Sequence, residues 1–341
     1  MPLGFVGSRG CSWARAGGCT MCDYGGFLGE IPDALLVQQT SGLLDQWPHE
    51  TEINLSCLGS FFDDRELSDN ARTGILREIA SRPQIELLGV ESRADDITVK
   101  KIREARELLG PRRCLEVGIG LESVDEFVRN VCVNKGLSLD TFEQAIRILH
   151  SNGAHAVGHV LLKPPFLTES EAIADAVATI DYLNSLSVRR IVLMVTNVKQ
   201  GTIVGKLYRL GCYRPPWLWS VLRVALSVSP PARDRLLIYG FRCGLPMEAI
   251  ASNCFRCSEH ITQEIEEFCG TGESFRLRMA FALDCPCKSA WCQALAERQP
   301  VTLRERVTAT LDLMSGSIDD YAASDRCASA PSRQSEPIHG E

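Results

Sequence analysis

The chain has no uninterrupted apolar run of the roughly 20 residues needed to cross a bilayer, which excludes a helical membrane span. The stretch from Met1 to Gly10 has neither the basic region nor the long apolar core of a secretion signal, so a cytoplasmic address with no membrane partner is expected. A basic excess is also missing: 36 Lys and Arg face 43 Asp and Glu, for a net charge of −7. That balance gives no global attraction to phosphate backbones, and nucleic-acid binding would need a local basic patch. There is no internal repeat. No glycine-rich phosphate loop is completed either, because Gly118-x-Gly120 stands without a further glycine.

What is present is a chain of 341 residues, 45% hydrophobic, long enough for one large core or a core with a smaller appendage. Its 15 cysteines belong to a large chain without a secretion signal, so reduced thiols and metal ligands are expected rather than a disulfide framework.

Apolar runs at 53–58, 85–90, 114–119, 156–162 and 191–195 predict strands. Helical patterns at 69–81, 95–109, 139–151 and 169–185 fall between them, with another at 218–228. Such alternation predicts βαβ units and a parallel α/β sheet, closed or partly closed. Chemistry in such sheets sits at the carboxyl ends of the strands. That rule selects Gly59-Ser60-Phe61, Glu91-Ser92-Arg93, Gly120-Leu121-Glu122 and Lys163-Pro164-Pro165. The expected organisation is a core barrel over 1–230, a Cys-rich module with a metal site over 231–323, and a disordered tail over 324–341.

Cys11, Cys19 and Cys22 lie in one short glycine-containing loop with the spacing C-x7-C-x2-C. Three thiolates on a [4Fe-4S] cluster leave one iron open to chelate S-adenosylmethionine (SAM) through its amino and carboxylate groups. The spacing alone equally admits a zinc knuckle lacking its fourth ligand; the polar groups at the strand ends favour the cluster. Cys254, Cys257, Cys285 and Cys287 form C-x2-C followed by C-x-C, enough for a closed tetrahedral zinc site or an auxiliary iron–sulfur cluster. A non-catalytic zinc-binding interaction protein would use both groups structurally.

The segments Arg9-Gly10-Cys11-Ser12-Trp13-Ala14-Arg15, Gly18-Cys19-Thr20-Met21-Cys22, Gly59-Ser60-Phe61-Phe62-Asp63-Asp64-Arg65-Glu66 and Glu91-Ser92-Arg93 resemble the elongator-type radical SAM family. Within it they resemble the radical SAM subunit of archaeosine synthase. The likeness continues through Asn134-Lys135-Gly136, the segment from Leu162 to Glu169, Thr196-Asn197-Val198-Lys199-Gln200, Tyr213-Arg214-Pro215-Pro216-Trp217 and both C-terminal cysteine pairs. It implies a partial (β/α)6 radical SAM barrel. It also implies a lyase in transfer-RNA modification, which cleaves a C–N bond in a lysine side chain joined to a 7-deazaguanine base. A small-molecule intermediate is the alternative substrate. The implied partners are SAM, a reductant such as flavodoxin or ferredoxin, and a partner transferase subunit.

By that resemblance, Met21 lies against the adenine of SAM, Gly59 and Ser60 approach its amino group, and Glu91 and Arg93 meet its ribose and carboxylate. Gly118 and Gly120 admit the adenine, while Glu122 reaches SAM or substrate. Lys135, Lys163, Asn197, Gln200 and Arg214 are candidates for the substrate side. For each the bland alternative is ordinary packing or structural hydrogen bonding; His155 and His159 are expected to be core groups.

Overall fold

In the computed structural model, residues 2–25, 31–242 and 247–315 are described; the tail expected over 324–341 lies outside them. Seven strands form one parallel sheet in chain order: β1 (Leu3–Phe5), β2 (Glu52–Ser56), β3 (Leu87–Glu91), β4 (Cys114–Glu122), β5 (His155–Leu162), β6 (Arg190–Val195) and β7 (Leu236–Tyr239). The sheet curls into an open half-barrel in which β1 does not pair with β7. The helices in chain order are α1 (Ser12–Arg15), α2 (Asp33–Gln46), α3 (Asp69–Ala80), α4 (Val99–Leu109), α5 (Leu139–Ser151), α6 (Glu169–Ser185), α7 (Ile203–Arg209), α8 (Leu218–Ser227), α9 (Pro230–Arg233), α10 (Ser258–Thr271), α11 (Ser274–Ala282), α12 (Cys287–Ala296) and α13 (Leu303–Ser315).

Local chemistry sets the helix starts. Ser68, Thr98, Ser138 and Thr168 precede α3 to α6, and their hydroxyls accept the otherwise unpaired N–H groups of Ala71, Lys101, Thr141 and Glu171. Glu171 returns a bond to the Thr168 N–H and completes a capping box. At α4 the helical pattern predicts a start at Asp95. The chain instead makes a 3₁₀ turn over Ala94–Asp96 and enters the helix after Thr98.

The apolar runs are buried on both faces, as a parallel sheet covered by helices requires. Leu115, Val117, Ile119 and Leu121 of β4 are fully buried, each stabilising the fold by about 1.5–3 kcal/mol. Leu236 and Ile238 of β7 join the same core, so the sheet runs past residue 230, where the barrel was expected to end. The Cys-rich segment packs onto it too, contributing Ile261, Ile265, Phe268, Leu277 and Trp291. Among the described residues, no helix is long and apolar enough to cross a membrane.

Candidate active site

Because all strands run parallel, the loops after β1 to β6 converge on one end of the half-barrel. Five non-glycine residues at these strand ends and loops have positive φ, Leu58 (55°), Glu122 (69°), Asn134 (56°), Lys163 (62°) and Phe166 (74°). Each such conformation costs on the order of 1 kcal/mol, and strain of this kind collects at functional sites.

The loop after β1 carries Cys11, Cys19 and Cys22. Its base is closed by the Cys11 N–H donating to the Tyr24 carbonyl at 2.9 Å, which brings the two ends of the cysteine segment together. Its far side is anchored on the β4–α5 connection: Trp13 Nε1 donates to the Asn134 carbonyl at 2.9 Å, and the Thr20 N–H to Val133 at 2.9 Å. Gly18 is needed because a Cβ there would stand 2.2 Å from the Trp13 ring. Burial raises the Cys19 thiol, against the pull of Lys135 and Arg93. Burial also pushes Cys22 up to about 12, with the Tyr24 N–H and Lys199 opposing it. Lys135, Arg93 and Lys199 thus face the thiols and oppose that rise without overcoming it.

The end of β2 is tied directly to this loop by Glu66. Its carboxylate accepts the Ser12 N–H at 2.6 Å and the Ser60 N–H at 2.5 Å. A Cβ on Gly59 would meet Glu66 Oε2 at 2.0 Å and Cys11 Cα at 3.1 Å, so only glycine fits this contact. Ser60 Oγ lies 2.7 Å from Ser92 Oγ, joining the ends of β2 and β3. Asp63 adds a second strut, accepting from Ser12 Oγ at 2.7 Å.

At β3, Glu91 accepts from Ser56 Oγ at 3.0 Å. Arg93 is already committed: it donates to the Lys135 carbonyl at 3.1 Å and pairs with Asp95 at 2.7 Å, with its guanidinium 4.9 Å from the Trp13 ring. These bonds tie it to the 134–136 loop. At β4, Glu122 pairs with Lys135 at 2.7 Å, both nearly buried. Burial would lower Lys135, but Glu122 and Cys19 outweigh it and hold the ammonium above its ordinary value. A Cβ on Gly120 would stand 2.4 Å from Lys135 Nζ, and one on Gly118 would stand 2.8 Å from His159 Nε2. Met21 packs beside Val198, Val204 and Leu207.

The expected substrate-side residues divide. Lys163 forms a buried 2.6 Å pair with Glu169, which also accepts from the Trp217 N–H and Ser220 Oγ. Arg214 is stacked 3.7 Å from the Trp217 ring and donates to the Ser252 carbonyl. These contacts tie both side chains into the barrel end. Asn197 and Gln200 follow β6; Gln200 is exposed, and Asn197 Oδ1 is buried without a hydrogen-bond partner. Such an atom calls for a donor. Lys199, between them, pairs with Asp23 at 2.6 Å and lies 4.4 Å from the Tyr24 ring, fastening the cysteine loop to β6.

Glu66, Asp63, Trp13, Asn134 and Lys199 were quoted in the motifs without a role. A carboxylate that will accept buried N–H groups looks in sequence like any surface acid, so only its position six residues after the Gly59-Ser60 turn could have marked Glu66.

The second cysteine group is assembled as expected. Cys254, Cys257, Cys285 and Cys287 place their sulfurs within 4.8 Å of one another, and four of the pairs are 3.4 to 3.7 Å apart. A tetrahedron of thiolates at ~2.3 Å from one ion has edges of ~3.8 Å. Four thiolates on the corners of an iron–sulfur cube would stand farther apart. Trp219 Nε1 donates to Cys287 Sγ at 3.3 Å, as a supporting bond to a ligand does. Burial raises Cys254, but bonds from Cys285 and the Arg256 N–H outweigh it and bring the thiol down to about 7. Cys269 lies outside this group, accepting from the Ile238 N–H, and Cys292 is exposed.

No protein-family model matches the chain. The archaeosine synthase subunit beta of Methanosarcina acetivorans is 29% identical over 297 residues, covering 84% of this chain and 83% of that protein. The protein of the same name from Thermococcus kodakarensis is 34% identical over 172 residues, 49% of this chain and 51% of its own. Among solved structures, the archaeal Elp3 of Methanocaldococcus infernus shares the fold with a TM-score of 0.50 at 17% identity, covering 68% of this chain and 58% of that one. The resemblance carried by the sequence motifs is borne out by these relatives, and the α/β half-barrel by the shared fold.

Proposed function

From this likeness to the archaeosine synthase beta subunits, we propose that the chain is a radical SAM lyase acting in transfer-RNA modification. The observation that supports it most is the Cys11, Cys19 and Cys22 loop, packed against the end of β2 through Glu66 and Gly59 and faced by Lys135 and Lys199. A [4Fe-4S] cluster bound there supplies one electron to cleave the sulfonium of SAM, giving methionine and a 5′-deoxyadenosyl radical.

This chain's own residues do the rest. The three cysteines would hold the cluster through their thiolates and leave one of its irons for SAM. Gly59 and Ser60 give the ligand close backbone approach, and Glu91 and Glu122 are placed at neighbouring strand ends to accept from its hydroxyls. Met21 and the Gly118–Gly120 strand end are the candidates for the adenine. Asn197 Oδ1, buried and unpartnered, accepts a donor from the substrate, with Gln200 beside it. The substrate is a lysine-bearing 7-deazaguanine base: hydrogen is taken from the side-chain carbon bonded to nitrogen, the carbon radical gives one electron back to the oxidised cluster, and water adds to the resulting iminium carbon, so that the C–N bond breaks with an aldehyde on the lysine side and the formamidine on the base. A partner transferase subunit, as the relatives' designation as a beta subunit suggests, installs the lysine, and flavodoxin or ferredoxin supplies the electron. The four C-terminal thiols hold a zinc ion, whose closed coordination gives it a structural task.

The test is isotopic. Transfer RNA carrying the lysine adduct with deuterium on the side-chain carbon next to nitrogen should place deuterium in 5′-deoxyadenosine and yield archaeosine. Unlabelled 5′-deoxyadenosine with intact adduct refutes the substrate assignment.

A further inference from the structure

Phe255 is 93% exposed, more than any other large apolar side chain among the described residues. It stands between two of the four clustered thiols, Cys254 and Cys257, so a metal bound there fixes the backbone on both sides of the ring and holds it out in solvent. Its neighbour Arg256 is also exposed, and its guanidinium has no partner among the described residues. The knuckle lies at the carboxyl end of the sheet. Ala249 bridges Val198 just after β6, and the Ser252 carbonyl accepts from Arg214. Lys199, next to that bridge, reaches Asp23 in the cysteine loop.

The surroundings narrow the occupant. In sequence the ring stands among polar neighbours, Asn253, Ser258 and Glu259, and not in an apolar run of the kind a protein partner covers. An aromatic ring beside a free guanidinium suits an unpaired base and its phosphate. We propose that Phe255 and Arg256 form a stacking site for an unpaired RNA base beside the nucleotide that enters the barrel mouth. The inference rests on the transfer-RNA reading above and adds where the RNA is gripped.

The experiment measures fluorescence anisotropy of a fluorescein-labelled, unmodified transfer-RNA transcript with the full, anaerobically purified chain over a salt series, with zinc content checked for every variant. Phe255→Ala and Phe255→Leu should each weaken binding by about 10-fold, because stacking is lost even when apolar bulk is kept. Phe255→Tyr should stay within about 2-fold of the parent, and Arg256→Ala should reduce the salt slope by about one. RNA binding by the parent that Phe255→Ala or Phe255→Leu leaves unchanged overturns this inference alone. Loss of a bound protein from Phe255→Ala with RNA binding intact also overturns it, assigning the ring to protein docking. A parent chain that binds no RNA overturns both this inference and the transfer-RNA reading.

Discussion

At the scale of single residues, the chemistry that is rare in proteins was legible and the chemistry that is common was not. Cysteine spacing identified both thiol groups because thiols have few uses in a large chain without a secretion signal. Arg93 and Lys163, read as ligand candidates, each form a pair, with Asp95 and with Glu169, whose position no local pattern encodes. Two predictions belong here. Glu169→Ala leaves the Lys163 ammonium buried and unpaired, and should destabilise the fold by about 3–5 kcal/mol in urea titrations, with Glu169→Gln costing less. Asp175 on α6 is pushed by burial, with Asp125 adding to it, up to about 6. Its native pKa thus lies above the unfolded value, so its contribution is present at acid pH and is lost as pH rises through about 6. Asp175→Asn should therefore raise the melting temperature at pH 8 and change it less at pH 5, with a pH-dependent part on the order of 2 kcal/mol. Equal effects at the two pH values would contradict this.

At the scale of elements, legibility followed length and capping. The bounds of α5 and α6 emerge as predicted because Ser138 and Thr168 mark their starts. β1 and β7, of three and four residues, are too short for a period-2 pattern and are defined only by pairing with β2 and β6. The junction between β2 and the cysteine loop is the element contact on which the site depends. Gly59→Ala drives a Cβ toward Glu66 and Cys11, and should cut the iron retained after anaerobic reconstitution by at least about half while far-UV circular dichroism is unchanged. Full iron loading in that variant would show that the contact does not shape the loop. Thr168→Ala, which opens the capping box of α6, should cost only about 1 kcal/mol and leave iron content alone.

At the scale of the whole molecule, the half-barrel and the Cys-rich segment share one hydrophobic core, and the metal site is wired to it through Trp219. Zinc removal by a chelator should therefore lower the melting temperature of the entire chain in a single transition, by roughly 5 °C or more, and zinc should restore it. A separate low-temperature transition would mean that the segment folds by itself. The boundary at 230 was placed by composition, which registers the onset of cysteines but not that Leu236 and Ile238 still belong to the sheet. The proposed radical chemistry depends on the first three cysteines. Anaerobic reconstitution of the full chain with iron and sulfide, followed by dithionite and SAM, should give 5′-deoxyadenosine from the parent and none from Cys19→Ala, whose zinc content is unchanged. No 5′-deoxyadenosine from an iron-loaded parent, or an undiminished yield from Cys19→Ala, would contradict it.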